Sequence, residues 1–210
     1  MAKIGVLFDL DGVLIDSETI YTKFWSGIDD IYPTGVDNFA LAIKGTTLPS
    51  ILQYYPDDNV KNDVVRRLKE FQDNMVFPLY PGAKELLQGL KDAGVPTAIV
   101  TSSDASKMQL LFRQHPWLEQ MFTAVIDASK VTKSKPDPQG YLLGAETIGV
   151  PADRCYVFED SLQGLAAGRA AGAKVIGVST TYSAERIAQL ADRVIGGVAE
   201  ITVEDLIQSW

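Results

Sequence analysis

Cysteine and histidine are almost missing from this chain of 210 residues: each occurs once. With Cys155 alone no internal disulfide can form, and a reducing compartment is the simplest setting. Cys155 lies in an apolar run and reads as a core residue. His115, between a helical stretch and Pro116, reads as structural or solvated. A surplus of positive charge is missing as well. The net charge of −8 argues against nucleic acid or an anionic membrane as partner, because both need basic surface. An anionic substrate would have to be drawn by a local metal ion or lysine. No run approaches the roughly 20 apolar residues of a transmembrane helix, and Asp9 cuts the stretch after Lys3 before it reaches the length of a signal h-region. Repeats, low-complexity segments and long linkers are absent too. The expectation is a cytoplasmic protein, and its acidic surface without a long apolar stripe favours a monomer.

What is present is globular composition. A hydrophobic content of 46% supports a sizeable core, and the length suits one ordinary domain plus a smaller module. The stretch from Ile4 to Ser17 carries the chemistry. Ile4 to Phe8 is short and wholly apolar apart from Gly5, as in a strand buried on both faces. Asp9, Leu10, Asp11 and Gly12 follow at once. Two carboxylates there are costly to bury unless a metal or hydrogen bonds compensate them. At the carboxyl end of a parallel strand they reach the mouth of the sheet, where α/β folds place ligands. Side chains at i and i+2 of an extended segment point the same way. Asp9 and Asp11 can therefore converge, one as nucleophile or metal ligand and the other moving protons. A plain Asp-Gly turn would also explain these residues.

Along the chain, Ser17 to Ile31 reads as a helix with Ser17 as N-cap and Tyr21, Phe24, Trp25 and Ile28 on one face. Short helices are expected over 38–42 and 49–54, and a longer one over Val60 to Phe77. No strand pattern occurs between Asp16 and Leu79, so residues 16–79 form an α-helical insert, a natural lid for a site at strand ends. From Tyr80 strand and helix alternate. Strands are expected over 96–100, 123–126, 154–158, 174–178 and 193–195, with helices over 82–93, 105–114, 138–148, 162–171 and 203–209. Such units pair in parallel with right-handed crossovers. The fold class is α/β, a doubly wound parallel sheet over 1–15 and 80–210, with the helical insert as a second domain. Gly164, Gly168 and Gly172 form a small-residue stripe, expected to pack on the sheet.

Three further strand ends bear polar residues. Thr101-Ser102-Ser103 opens a helix, where hydroxyls and free N–H groups suit a phosphate oxygen, or serve the helix as an N-cap. Lys135-Pro136-Asp137-Pro138 precedes another helix, and Pro136 and Pro138 stiffen the approach and so fix where Lys135 points. Glu159-Asp160 repeats the acid-after-strand arrangement. Four carboxylates at one sheet edge repel unless a hard cation sits among them, and Mg²⁺ takes such oxygens beside waters and a substrate phosphate.

In this order, Asp9-Leu10-Asp11-Gly12-Val13-Leu14, Thr101-Ser102, Lys135-Pro136 and Phe158-Glu159-Asp160-Ser161 with Gly164 resemble the four motifs of the haloacid dehalogenase superfamily. The match spans nearly the whole chain, and the insert resembles that family's small α-helical cap. The branch it looks most like is that of the β-phosphoglucomutase-like phosphatases. The resemblance implies that Asp9 attacks phosphorus and that Asp11 protonates the leaving alcohol, then activates water. Thr101 and Ser102 would bind the phosphoryl group and Lys135 would neutralise it. Asp9, Asp160 and the backbone carbonyl of Asp11 would hold Mg²⁺, with Glu159 supporting through water. True dehalogenases lack the second acid, so Asp11 argues for phosphoryl transfer. A mutase grips a second phosphate, and its relatives carry an arginine after the glycine corresponding to Gly45 and a histidine near Tyr21. This chain has Thr46-Thr47-Leu48-Pro49 and Tyr21 there. The expectation is a phosphatase for a small phosphorylated metabolite, a sugar phosphate or similar. Its substrate residues in the insert would be Tyr21, Gly45 and Thr46, with Trp25, Lys44, Lys69 and Gln72 near them. The alternatives are a sugar phosphomutase and, from another class, a phospho-acceptor switch built on Asp127 or a non-catalytic binding protein.

Overall fold

The computed structural model describes residues 4–43 and 48–208 and divides the chain into two compact units, one of Met1–Asp16 with Phe77–Trp210 and one of Ser17–Val76. The larger unit is a six-stranded sheet: β1 (Gly5–Phe8), β2 (Thr97–Val100), β3 (Ala124–Ile126), β4 (Cys155–Glu159), β5 (Lys174–Val178) and β6 (Arg193–Ile195). Every pairing is parallel, in the order β3-β2-β1-β4-β5-β6. The chain moves outward from β1 in one direction, then restarts at β4 and moves outward in the other. The boundary between β1 and β4 is thus the topological switch point, where ligands bind in open α/β sheets.

The strands are apolar on both faces because helices cover both. Alternation sends Leu7, Ala98, Val100, Ile126, Val157 and Val175 to one face. There they form one buried cluster with Tyr141, Ala145, Leu165 and Ala167. Phe8 and Phe158 turn to the other face and stack with ring centroids 4.8 Å apart. Each fully buried side chain of this kind contributes roughly 1.5–3 kcal/mol against exposure.

In the smaller unit, helices α1 (Ser17–Ile31), α2 (Phe39–Ala42), α3 (Leu48–Leu52) and α4 (Asp58–Asp73) enclose their own core of Trp25, Ile28, Phe39, Ile51, Val64 and Leu68. The phenol of Tyr32 donates to Asp63 Oδ2 at 2.7 Å and ties the end of α1 to α4. The sequence pattern carries α4 on to Phe77, but it stops at Asp73. Pro78 disfavours helical geometry in the residue before it. Met75 and Phe77 are buried as chain, not as helix. At the other end Asp57 Oδ1 accepts from the Asn59 N–H and starts the helix at Asp58.

The larger unit adds α5 (Ala83–Asp92), α6 (Ala105–Gln114), α7 (Pro116–Glu119), α8 (Gln139–Thr147), α9 (Leu162–Ala170), α10 (Ala184–Ile187) and α11 (Val203–Gln208). The short α7 and α10 carry too few residues for a helical period to be read from the pattern. His115 joins α6 to α7 with its Nε2 2.7 Å from the Phe77 carbonyl oxygen, a structural bond. Among the described residues no helix is long and apolar enough to cross a membrane. Cys155 is buried, and that burial pushes its thiol up to about 12. At pH 8 it therefore carries almost no thiolate, the form that reacts. Thiol reagents at that pH should leave the native protein unlabelled and modify one site once denaturant is added. Rapid native labelling would contradict this burial.

Candidate active site

Each site residue stands at the end of a strand or in the loop that follows. The Asp9 N–H donates to the Phe158 carbonyl at 2.9 Å, so the chain leaving β1 stays alongside β4 for one more residue. At the next strand the Thr101 N–H donates to the Ile126 carbonyl at 2.9 Å. The N–H groups of Val13, Leu14 and Ile15 converge on the Leu10 carbonyl, winding the segment after Asp9 into a tight turn. Gly12 stands in that turn at φ 79°, a conformation only glycine adopts freely. A Cβ on Gly12 would also overlap the Asp160 carboxylate.

The structure brings Asp9, Glu159, Asp160 and Lys135 together. One carboxylate oxygen from each of the three acids lies within 4.8 Å of the others, and all three residues are buried. The Lys135 ammonium donates to Asp9 Oδ1 at 2.7 Å, Glu159 Oε1 at 2.5 Å and the Val100 carbonyl at 3.1 Å. Glu159 is saturated. Its Oε1 accepts from Lys135 and from the Tyr141 hydroxyl, while its Oε2 accepts from the Asp160 and Ser161 N–H groups and the Ser161 hydroxyl. Such a fully bonded carboxylate orients its neighbours.

Burial holds the Asp9 carboxyl well above the usual carboxylate range, with Lys135 opposing and Glu159 and Asp160 adding to the rise. Burial and then Glu159 push Asp160 up to about 7. Burial works against the Lys135 charge, but Asp9 and Glu159 outweigh it and hold the ammonium above its ordinary value. With all three acids ionised, one ammonium leaves an excess of two negative charges. A divalent cation fits this donor set: the oxygens are hard, they converge, and a charge of +2 offsets both the excess and the penalty of burying ionised acids.

Asp11 stands apart from the three. Its Oδ1 is 2.5 Å from the Lys107 ammonium and its Oδ2 accepts from the Ser103 hydroxyl at 2.8 Å. The two acids of the first motif therefore have separate cations. Thr101 is buried, and its Oγ1 accepts from the Ser103 N–H at 3.0 Å. Ser102 is exposed, and a cavity of about 230 Å³ is lined by Thr101, Ser102, Lys135 and Tyr141. Tyr21 belongs to the smaller unit. It accepts from Gln72 Nε2 at 3.2 Å and lines a separate cavity of about 240 Å³ with Glu18, Trp25 and Leu68. Gly45 and Thr46, with Lys44 and Thr47, lie outside the described residues. Asp127 caps the turn after β3, its Oδ1 accepting from the Ser129 N–H and hydroxyl.

Several residues of the site were within reach of the strand-end rule but escaped it. Thr180 and Thr181 lie two and three residues past the end of β5, whereas Thr101 directly follows β2. Lys107 lies in the first turn of α6, four residues beyond Ser103, which precedes the helix. The glycine stripe also divides. A Cβ on Gly168 would press on Val157 and Val175 at 2.9 and 3.1 Å, which is close packing on the sheet. Gly172 is a left-handed turn at φ 81° with open space around it. Gly164 instead abuts Glu159, because a Cβ there would overlap that carboxylate. Gly164→Ala should therefore lower unfolding free energy by about 1–3 kcal/mol, as overpacking does. Gly27→Ala, mid-helix with nothing within 4 Å of its Cβ, should raise it by about 0.5–1 kcal/mol. Denaturant titration of both variants checks the pair.

A profile of the haloacid dehalogenase-like hydrolases matches residues 5–172, and the chain belongs to that family. With phosphatases among its relatives, its class is phosphoric monoester hydrolase. Hexitol phosphatase A of Escherichia coli is 31% identical over 205 residues, covering 95% of this chain and 93% of that protein. A beta-phosphoglucomutase of Mycobacterium bovis is 30% identical over 242 residues, covering 93% and 90%. A bifunctional riboflavin kinase/FMN phosphatase of Arabidopsis thaliana is 28% identical, over 95% of this chain but 54% of its own length. Among solved structures, a HAD family hydrolase from Deinococcus radiodurans with bound phosphate and sodium superposes with TM-score 0.82. It is 31% identical and covers 94% of this chain and 93% of its own.

Proposed function

We propose that this protein is a Mg²⁺-dependent phosphatase that hydrolyses a small phosphorylated metabolite, of the sugar phosphate class, through an aspartyl-phosphate on Asp9. The observation that carries the reading is the pairing of each acid of the first motif with its own cation. Asp9 sits with Lys135 among the acids of a candidate cation site, and Asp11 sits with Lys107 and Ser103. Two carboxylates in unlike surroundings suit unlike tasks.

In the first step an Asp9 carboxylate oxygen forms a bond to phosphorus, and the ester P–O bond breaks. Asp11 gives its proton to the departing alkoxide. In the second step Asp11 takes a proton from water, the resulting hydroxide bonds to phosphorus, and the acyl-phosphate bond to Asp9 breaks, releasing inorganic phosphate. Thr101, Ser102 and Lys135 hold the phosphoryl oxygens, and Lys135 offsets the charge spread over them. Asp9, Asp160 and the Asp11 carbonyl would hold Mg²⁺, with Glu159 acting through water. The ion would add the positive charge that phosphoryl transfer demands. Tyr21, Gly45 and Thr46 of the insert are assigned to the organic part of the substrate. The working form is a cytoplasmic monomer.

The test is inorganic phosphate release from a panel of sugar phosphates, hexitol phosphates and other small phosphomonoesters, with Mg²⁺ and with chelator. Release from at least one, lost on chelation, is expected. The mutase reading is favoured by the beta-phosphoglucomutase relative. It would prevail if no phosphate were released while β-glucose 1-phosphate became glucose 6-phosphate once a bisphosphate was added.

A further inference from the structure

The loop after β5 grips the site from a third strand. The Ser179 N–H and hydroxyl donate to the Ile195 carbonyl at 2.9 and 3.2 Å, anchoring the loop to the end of β6. From that anchor the Thr180 hydroxyl donates to the Gly12 carbonyl at 2.5 Å, and the Thr181 hydroxyl donates to Asp160 Oδ2. Two neighbouring hydroxyls therefore hold both sides of the β1/β4 switch point. Gly12 leaves no room for a Cβ against Asp160, so these parts are already in close contact. A carboxylate turns easily about its last side-chain bond. A hydroxyl bound to one oxygen fixes the carboxylate plane and so directs the other. Threonine suits that task, because its β-branched side chain has few rotamers to lose.

We propose that Thr181 is a positioning residue for the cation site, fixing the Asp160 carboxylate and thereby setting the affinity for a divalent cation. The inference rests on the reading that Asp9, Asp160 and the Asp11 carbonyl hold such an ion, with Glu159 acting through water. Partners one step removed from a metal commonly change its affinity by about 10–100-fold when removed. The test is calorimetric titration of Mg²⁺ into the full chain and into Thr181→Val and Thr181→Ser, with melting temperatures taken in chelator. Thr181→Val, equal in shape but without the donor, should weaken Mg²⁺ binding by about 10–100-fold while melting in chelator close to the parent. Thr181→Ser, which keeps the hydroxyl, should stay within about threefold. If the valine variant does not fold, Thr181→Ala takes its place in the comparison. The proposal is overturned if valine or alanine binds as tightly as the parent, if serine is as weak as they are, or if the parent binds no Mg²⁺. A parent that binds Mg²⁺, loses it in Thr181→Val and yet releases no phosphate from any ester would sink the phosphatase reading and leave this one standing.

Discussion

Asp9→Asn should reduce phosphate release by about 10⁴–10⁶-fold, the scale seen when a nucleophile is removed. The substitution keeps the side chain's shape and takes away only the oxygen nucleophile and its charge. The fold should survive. Burial already holds the Asp9 carboxyl above its normal range, so a neutral group there avoids the cost of burying an ionised acid. Lys135 keeps its bonds to Glu159 and the Val100 carbonyl. Circular dichroism and the melting temperature in chelator should match the parent, while phosphate release and acid-stable labelling of the protein by phosphate are both lost. Residual turnover above about one per cent, on preparations free of parent enzyme, would remove Asp9 as nucleophile, because general positioning does not replace a covalent step.

Asp11→Asn should split the reaction in two. A positioned acid–base group contributes about 10²–10⁴-fold, and here it would act on both halves. With an alkyl phosphate the variant should be slow in forming phosphoenzyme, because the alkoxide needs a proton. With p-nitrophenyl phosphate the leaving group needs none. The variant should then release about one equivalent of p-nitrophenol in a burst and stall, holding phosphate on Asp9. Rapid-quench kinetics resolves the burst from the slow phase. Phosphoenzyme hydrolysis at the parent rate would show that Asp11 is not the base. Lys107 and Ser103 would then be holding a carboxylate with some other task, since both bond to it directly.

The main elements of the sheet were legible because each strand is a short apolar run bounded by turn residues, and a buried strand has no other way to be written. α1, α6, β5 and β6 begin and end where the pattern places them. The long helix of the insert is shorter than its pattern, because Met75 and Phe77 continue the apolar spacing after the helix has ended at Asp73, towards Pro78, which disfavours helix in the residue before it. Two further α-helices, α7 and α10, have four residues each and give no period to read. Among the site residues, Asp9, Thr101, Glu159 and Asp160 could be singled out because each is polar directly against an apolar strand, where an unsatisfied group would be expensive. Tyr141, which donates to buried Glu159, looks in sequence like any helix residue facing a core.

Carboxylates at the ends of parallel strands, hydroxyls at a helix start and a lysine directly before two closely spaced prolines were determined by the sequence itself, because local pattern decides which residues lie at the mouth of a sheet. Which of them meet was decided only by the tertiary structure. Lys107 reaches Asp11 across 96 residues, Lys135 reaches Asp9 across 126, and Thr181 comes from another strand to hold Asp160. The strand order places β1 beside β4 and lets loops far apart in sequence converge at one edge. Hydrogen bonds and ion pairs act over a few ångströms of space, and no local pattern records a partner from another strand.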